Sequence, residues 1–137
     1  MNAKEYLSQA YRIDQRINSK LEQVMSLRAL LGKATGTLTG APKAATPNPH
    51  SMEDTICKMV DMENEINADI DTLVDLKTEI MTCIKQVGNP EYQTLLELRY
   101  LCFKNWEDIS TEMDYSLRRL YELHNLALEQ IFFKSPQ

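Results

Sequence analysis

The chain has 137 residues, 43% of them hydrophobic and 26% charged, and carries a net charge of −5. That length suits one domain, or a long helical element with one small domain. Four Gly and five Pro are too few and too clustered for a many-stranded β protein, so the fold class expected is all-α, with long helices interrupted once.

No apolar run approaches the roughly 20 residues of a membrane span, and "MNAKEYLSQAYRID" lacks the apolar core of a secretory leader. Cys57, Cys83 and Cys102 are odd in number, widely spaced and without a CxxC pair, which suits reduced thiols and a cytoplasmic protein. The charge is unevenly spread. Residues 1–33 carry +3 and residues 51–87 carry −6, while 34–50 carry +1 and 88–137 carry −3.

The first predicted element is one uninterrupted helix from Ala3 to Leu31, ended by Gly32. Ala3, Ala10, Ile17, Val24 and Leu31 form one heptad row, and Tyr6, Ile13, Lys20 and Leu27 the other, with Leu7 and Leu21 widening the stripe. "GKATGTLTGAPKAATPNPH" follows and reads as a flexible linker over 32–50. Its glycines lack the preceding strand and the GK[ST] of a phosphate cradle. The second helix is expected from Ser51, which with Asp54 resembles an N-capping box, to a C-cap at Gly88. Met52, Met59, Ile66, Leu73, Ile80 and Val87 form one row; Ile56, Glu63, Ile70, Lys77 and Ile84 form the second. Glu63 and Lys77 are then the seam residues expected to restrict register. Several of the seven Met fall in this helix and are expected to pack the coiled coil. The opposite charges of the two helices suit an antiparallel coiled-coil hairpin over 1–87, and its narrow core predicts either a homo-oligomer through the long helices or docking onto another element.

Residues 88–137 read as a separate small domain of three helices. Eight of the ten aromatic residues lie between Tyr92 and Phe133, which fits a mixed core. Asn89 caps and Pro90 opens a helix to about Tyr100, a break at "CFKN" follows, and a helix runs from Trp106 to Met113. After the turn "DYS", Ser116 caps a last helix to about Phe132. The spacing is that of a helix-turn-helix: Ile109 and Met113 follow Trp106 at helical offsets, Ser110 is small at the crossing, Asp114 takes the turn, and Leu117, Leu120 and Leu123 continue the apolar face. Arg118, Arg119, Tyr121, Glu122 and Asn125 fall on the solvent side of the last helix.

"LLELRYLCFKNWEDISTEMDYSLRRLYELHNLALEQI" resembles the fourth-region helix-turn-helix of bacterial sigma factors, with "LRY", Trp-x-x-Ile-small, a turn ending Tyr-Ser, and Ala-Leu near the end. Long helices plus this tail resemble small phage and prophage proteins of Gram-positive bacteria, in outline the ArpU/RinA-type late-transcription regulators. The resemblance implies promoter binding in double-stranded DNA, with RNA polymerase as a further partner. Carried over, Ser116 would cap the recognition helix with its N–H groups toward phosphate, and Leu117, Arg118, Arg119, Tyr121, Glu122 and Asn125 would complete the DNA-binding set. Asp114 stands where that family usually has Gly, and the helix is flanked by Glu112, Asp114, Glu122 and Glu129.

No His/Cys/Asp constellation suggests an enzyme, and no catalytic residue, metal ligand or cofactor is expected. His50 is placed in the linker and His124 at a surface or partly packed position. "DMENEINADIDTLVD" lacks metal-ligand spacing and reads as a solvated acidic face. The alternative to a promoter-binding regulator is a DNA-free helical interaction protein that binds RNA polymerase or another regulator.

Overall fold

The computed structural model describes residues 1–38 and 49–133, with side chains for 1–33 and 52–133. These residues are all-α. They form five helices, α1 (Ala3–Leu38), α2 (Pro49–Lys85), α3 (Pro90–Leu96), α4 (Trp106–Met113) and α5 (Leu117–Glu129), with short connections from α2 onward, and a π-helical turn over Glu97–Leu101 extends α3. Among the described residues there is no strand, and no helix is long and apolar enough to cross a membrane.

α1 starts at a reciprocal capping box. The Asn2 side chain accepts from the Glu5 N–H at 2.8 Å, and the Glu5 carboxylate accepts from the Asn2 N–H at 3.3 Å. The helix does not stop at Gly32 but runs to Leu38, because Gly32 keeps a negative φ. Helix also occupies Pro49 and His50, placing His50 in α2 and Ser51 inside it instead of at its N-cap, with Pro49 at the first helical position. Of the expected linker, residues 39–48 lie outside the described residues. At the other end Gly88 is not a left-handed C-cap. α2 closes with tight bonds from Gln86 N–H to Cys83 O (3.3 Å) and from Val87 N–H to Ile84 O (3.0 Å), while the Gln93 amide donates to the Val87 carbonyl.

The chain forms two compact units, Met1–Asp14 with Thr72–Gln137, and Gln15–Asp71. In the second unit Ile17 and Val24 of α1 and Met59 and Ile66 of α2 are buried. Lys20 pairs with Asp69 at 2.7 Å and Arg28 with Glu63 at 3.3 Å, so the partner number falls as the first rises and the helices run antiparallel. The first expected row of α2 is correct in position; the second is correct only at its C-terminal end, where Ile84 is fully buried and Lys77 half-buried. Thr55, Met62, Asp69, Leu76 and Cys83 are half-buried, three residues after Met52, Met59, Ile66, Leu73 and Ile80, whereas Ile56, Glu63 and Ile70 are exposed. The polar seam pair is therefore Lys20–Asp69. Glu63 is exposed beside the seam, Lys77 is half-buried, and Leu21 is exposed as well.

In the first unit, Tyr6, Leu7 and Ala10 from the start of α1 share one core with Ile80, Ile84 and Val87 of α2, Leu96 and Tyr100, and Ala127 and Ile131 at the end of the chain. That core joins residues on both sides of the expected 87/88 junction. Leu7, Ile80, Ile84 and Leu96 are fully buried, each worth about 1.5–3 kcal/mol by removal from water. α5 ends at Glu129, short of Phe132. The chain then turns through Gln130, so that Ile131 is buried and Phe133 stacks on Tyr6 at 4.8 Å.

Candidate nucleic-acid interface

α3, α4 and α5 are held by a small core of Leu95, Ile109, Leu120 and Leu123, with Trp106, Met113 and Tyr115 packed against it. Each helix begins at a polar cap, expected at Asn89 and Ser116 and found also at Asn105, in the break before α4. Asn89 accepts from the Glu91 N–H at 2.9 Å with Pro90 at the first helical position, Asn105 accepts from Asp108 N–H at 2.8 Å, and Ser116 accepts from Arg119 N–H at 3.1 Å.

The α4–α5 turn is built by Ser110 and Asp114. Asp114 is left-handed at φ 59°, ψ 44°, with its N–H bonded to Ser110 O. The Ser110 hydroxyl donates to the Tyr115 carbonyl, and Tyr115 N–H returns to Ser110 O at 3.2 Å. Ser110 thus ties the turn as well as leaving room for it. Tyr115 reaches across to α3 and donates to Glu91 at 2.7 Å. The geometry is a helix-turn-helix, two short helices joined by three residues and packed on a third.

The seven sequence-predicted residues are brought together at the exposed N-terminal end and outer face of α5. Leu117, Arg118, Arg119, Tyr121, Glu122 and Asn125 are all exposed, and Ser116 caps them. Arg118 is almost fully in solvent. Both arginines are nonetheless engaged by one carboxylate: Glu122 lies 3.9 Å from Arg118 and 3.2 Å from Arg119. Tyr121 packs edge-on against Trp106, centroids 5.2 Å apart. Glu107, Asp108, Glu112 and Asp114 are exposed along α4 and the turn, and Lys104 is held by Glu112.

Two features behind this face are absent from the sequence expectation. His124 is buried, not at the surface, and its Nε2 lies 2.6 Å from the Tyr100 hydroxyl. Burial pulls His124 down to about 4, helped by the charges of Lys4 and Arg99, and burial pushes Tyr100 up to about 12. Both shifts agree with a neutral imidazole hydrogen-bonded to a neutral phenol. Arg99 covers the Trp106 ring at 4.8 Å and donates to the Lys104 carbonyl at 3.0 Å, closing the π-helical turn over the start of α4. Phe103, just after that turn, is left-handed at φ 57° and sits under the Lys77 ammonium at 4.6 Å. Cation–aromatic pairs of this kind had no local signal, since their partners are brought close only by the fold. Among the described residues no group of His, Cys, Asp and Glu is arranged to hold a metal ion.

A family model described as "Protein of unknown function (DUF1492)" matches residues 43–131. No curated protein and no solved structure gives a significant match. The matched span takes in all of α2 and the whole helix-turn-helix, and the chain belongs to the DUF1492 family.

Proposed function

We propose that this protein is a non-catalytic, phage-type transcriptional regulator whose α4–turn–α5 element binds promoter DNA, assembled as a homo-oligomer through its long helices. The observation that carries the reading is the Ser116-capped α5, which projects Arg118, Arg119, Tyr121 and Asn125 from a helix-turn-helix core. In such a unit the second helix enters the major groove by its N-terminal residues, and its capped end offers N–H groups to a phosphate. The test is duplex binding by fluorescence anisotropy, with a bacterial promoter fragment and a random duplex of equal length, at two salt concentrations. Salt-sensitive binding that prefers the promoter and is lost in Arg118→Ala/Arg119→Ala supports the reading. Absence of binding at low salt refutes it.

A second reading has its own support. Both arginines are already paired with Glu122, the surround is acidic, and Leu117, Tyr121 and Leu126 are exposed on the same helix. A protein partner such as an RNA polymerase subunit suits that mixture better than phosphate does. Retained co-purification with polymerase by a chain that binds no duplex would select it.

A further inference from the structure

The Gln15–Asp71 unit carries more large apolar side chains outside than inside. Ile17, Val24, Met59 and Ile66 are buried, while Leu21, Met25, Leu30, Ile56, Val60 and Ile70 are between 41% and 67% exposed. Five of these six share one side of the hairpin. Arg28 lies one heptad after Leu21, and Glu63 lies one heptad after Ile56 and one before Ile70. Since Arg28 and Glu63 bridge the two helices at 3.3 Å, the flank bearing Leu21 and the flank bearing Ile56 and Ile70 lie on the same side. Met25 and Val60 are the i+4 neighbours of Leu21 and Ile56 and extend that flank outward. The opposite side is exposed and mainly polar, with Ser19, Gln23 and Ser26 on α1 and Lys58, Asp61 and Glu65 on α2; Leu30 lies there as well.

We infer that this apolar side is the contact between two copies of the chain, which pack face to face as a four-helix bundle. The charges select both the occupant and the arrangement. α1 has four cations against one acid between Gln15 and Lys33, and α2 has seven acids against one lysine between Pro49 and Asp71. A two-fold axis parallel to the helices lays α1 of one copy on α2 of the other, basic on acidic, at both contacts. The other two-fold arrangement lays like on like. Half-exposed Leu21, Met25, Ile56, Val60 and Ile70 from each copy, with their polar surround, bury on the order of 1,000 Å² in total, the lower bound of a specific interface. The inference deepens the oligomer part of the proposed function and rests on none of its DNA chemistry.

The experiment is sedimentation equilibrium of the full chain without nucleic acid. The chain is 15.8 kDa, and the expected species has twice that mass. Val60→Lys/Ile70→Lys, which suits the acidic α2 within a monomer but meets the basic α1 of the partner, raises the dissociation constant by at least about 100-fold. Gln23→Lys/Ala68→Lys, with the same charge change on the opposite side, leaves it unaltered. A wild-type chain that is monomeric up to ~100 µM, as it would be if a foreign protein covered this face, overturns the inference, given the micromolar affinity such an interface commonly supports. Equal dissociation of the two variants also overturns it. Should Val60→Lys/Ile70→Lys lose its helical circular dichroism, cross-linking decides. Arg28 and Glu63 are paired, and Leu21 and Ile70 lie one heptad before the first and one after the second, which sets Leu21 level with Ile70; a Leu21→Cys chain and an Ile70→Cys chain, with Cys57, Cys83 and Cys102 replaced by Ala, therefore form a mixed disulfide when combined. No mixed disulfide, or one only between two Leu21→Cys chains, overturns the arrangement.

Discussion

The Tyr100 hydroxyl and Nε2 of His124 share a hydrogen bond of 2.6 Å, joining the π-helical turn to α5 behind the helix-turn-helix. His124 also stands edge-on to Trp106 at 4.9 Å, so one imidazole ties three elements together. Its folded pKa of about 4 lies below the ordinary 6.5. The fold therefore favours the neutral form, and the unfolded chain binds the extra proton between those values. Stability from this group is complete above pH 6.5 and declines as pH falls toward 4, by on the order of 3 kcal/mol over the window. Thermal melts between pH 7.5 and 4 should show the wild type losing stability more steeply than His124→Gln. Parallel slopes would mean that carboxylates alone set the acid sensitivity.

Glu122 restrains both candidate DNA-binding arginines, at 3.9 Å and 3.2 Å. The pairs are exposed and add little to stability. Glu122→Gln should leave the melting temperature within about 1 °C while freeing Arg118 and Arg119. If the face binds DNA, affinity rises and the slope of log K against log salt steepens by about 1 to 2, because one or two more phosphates are neutralised. Anisotropy titrations of the variant and the wild type over a salt series measure it.

The helix-turn-helix was legible in the sequence because its signals are local. Asn89-Pro90, Asn105 and Ser116 cap within three residues of where they bond, and a left-handed Asp114 is a one-residue preference. α4 follows the expected bounds for that reason. The seam of α2 was legible only in half. Met59, Ile66 and Ile80 are apolar at one heptad position, but Ile56 and Ile70 are also apolar, and a one-dimensional pattern cannot tell an inner flank from an outer one when both are hydrophobic. Lys20 and Asp69 decide the register, and their pairing spans 49 residues. The same distance problem hid His124. Its burial depends on Tyr100 in another element, and an isolated His on a helix gives no sign of it.

The Lys20–Asp69 pair sits in the seam, with side chains only 17% and 22% exposed. Lys20 also reaches Glu65 at 3.5 Å. Lys20→Ala leaves Asp69 partly buried without its counter-ion and should cost about 1–2 kcal/mol, with a loss of helix alignment. Lys20→Met/Asp69→Leu, which removes both charges and keeps bulk, should recover most of that loss or exceed the wild type. Urea unfolding of the single and double variants closes the cycle, and a double variant worse than the sum of the singles would show that the pair does not act through burial.

Asp114 occupies a left-handed conformation that glycine adopts without cost, and its own side chain adds a negative charge in the turn that leads into α5. Its N–H, not its carboxylate, closes the bond to Ser110, so the turn does not need the Asp side chain. Asp114→Gly removes the left-handed penalty of about 1 kcal/mol, partly offset by the greater freedom of Gly in the unfolded chain, leaving a net gain of a few tenths to about 1 kcal/mol. Asp114→Ala has no such relief, since its Cβ keeps the same clash as Asp, and should leave stability within about 0.5 kcal/mol of the wild type. The two variants remove the same charge. Their difference in melting temperature therefore isolates the backbone effect, while any gain in duplex affinity common to both isolates the electrostatic one. Equal melting temperatures would contradict a strained turn, and a duplex affinity unchanged in both would place the Asp114 charge outside the reach of bound phosphate.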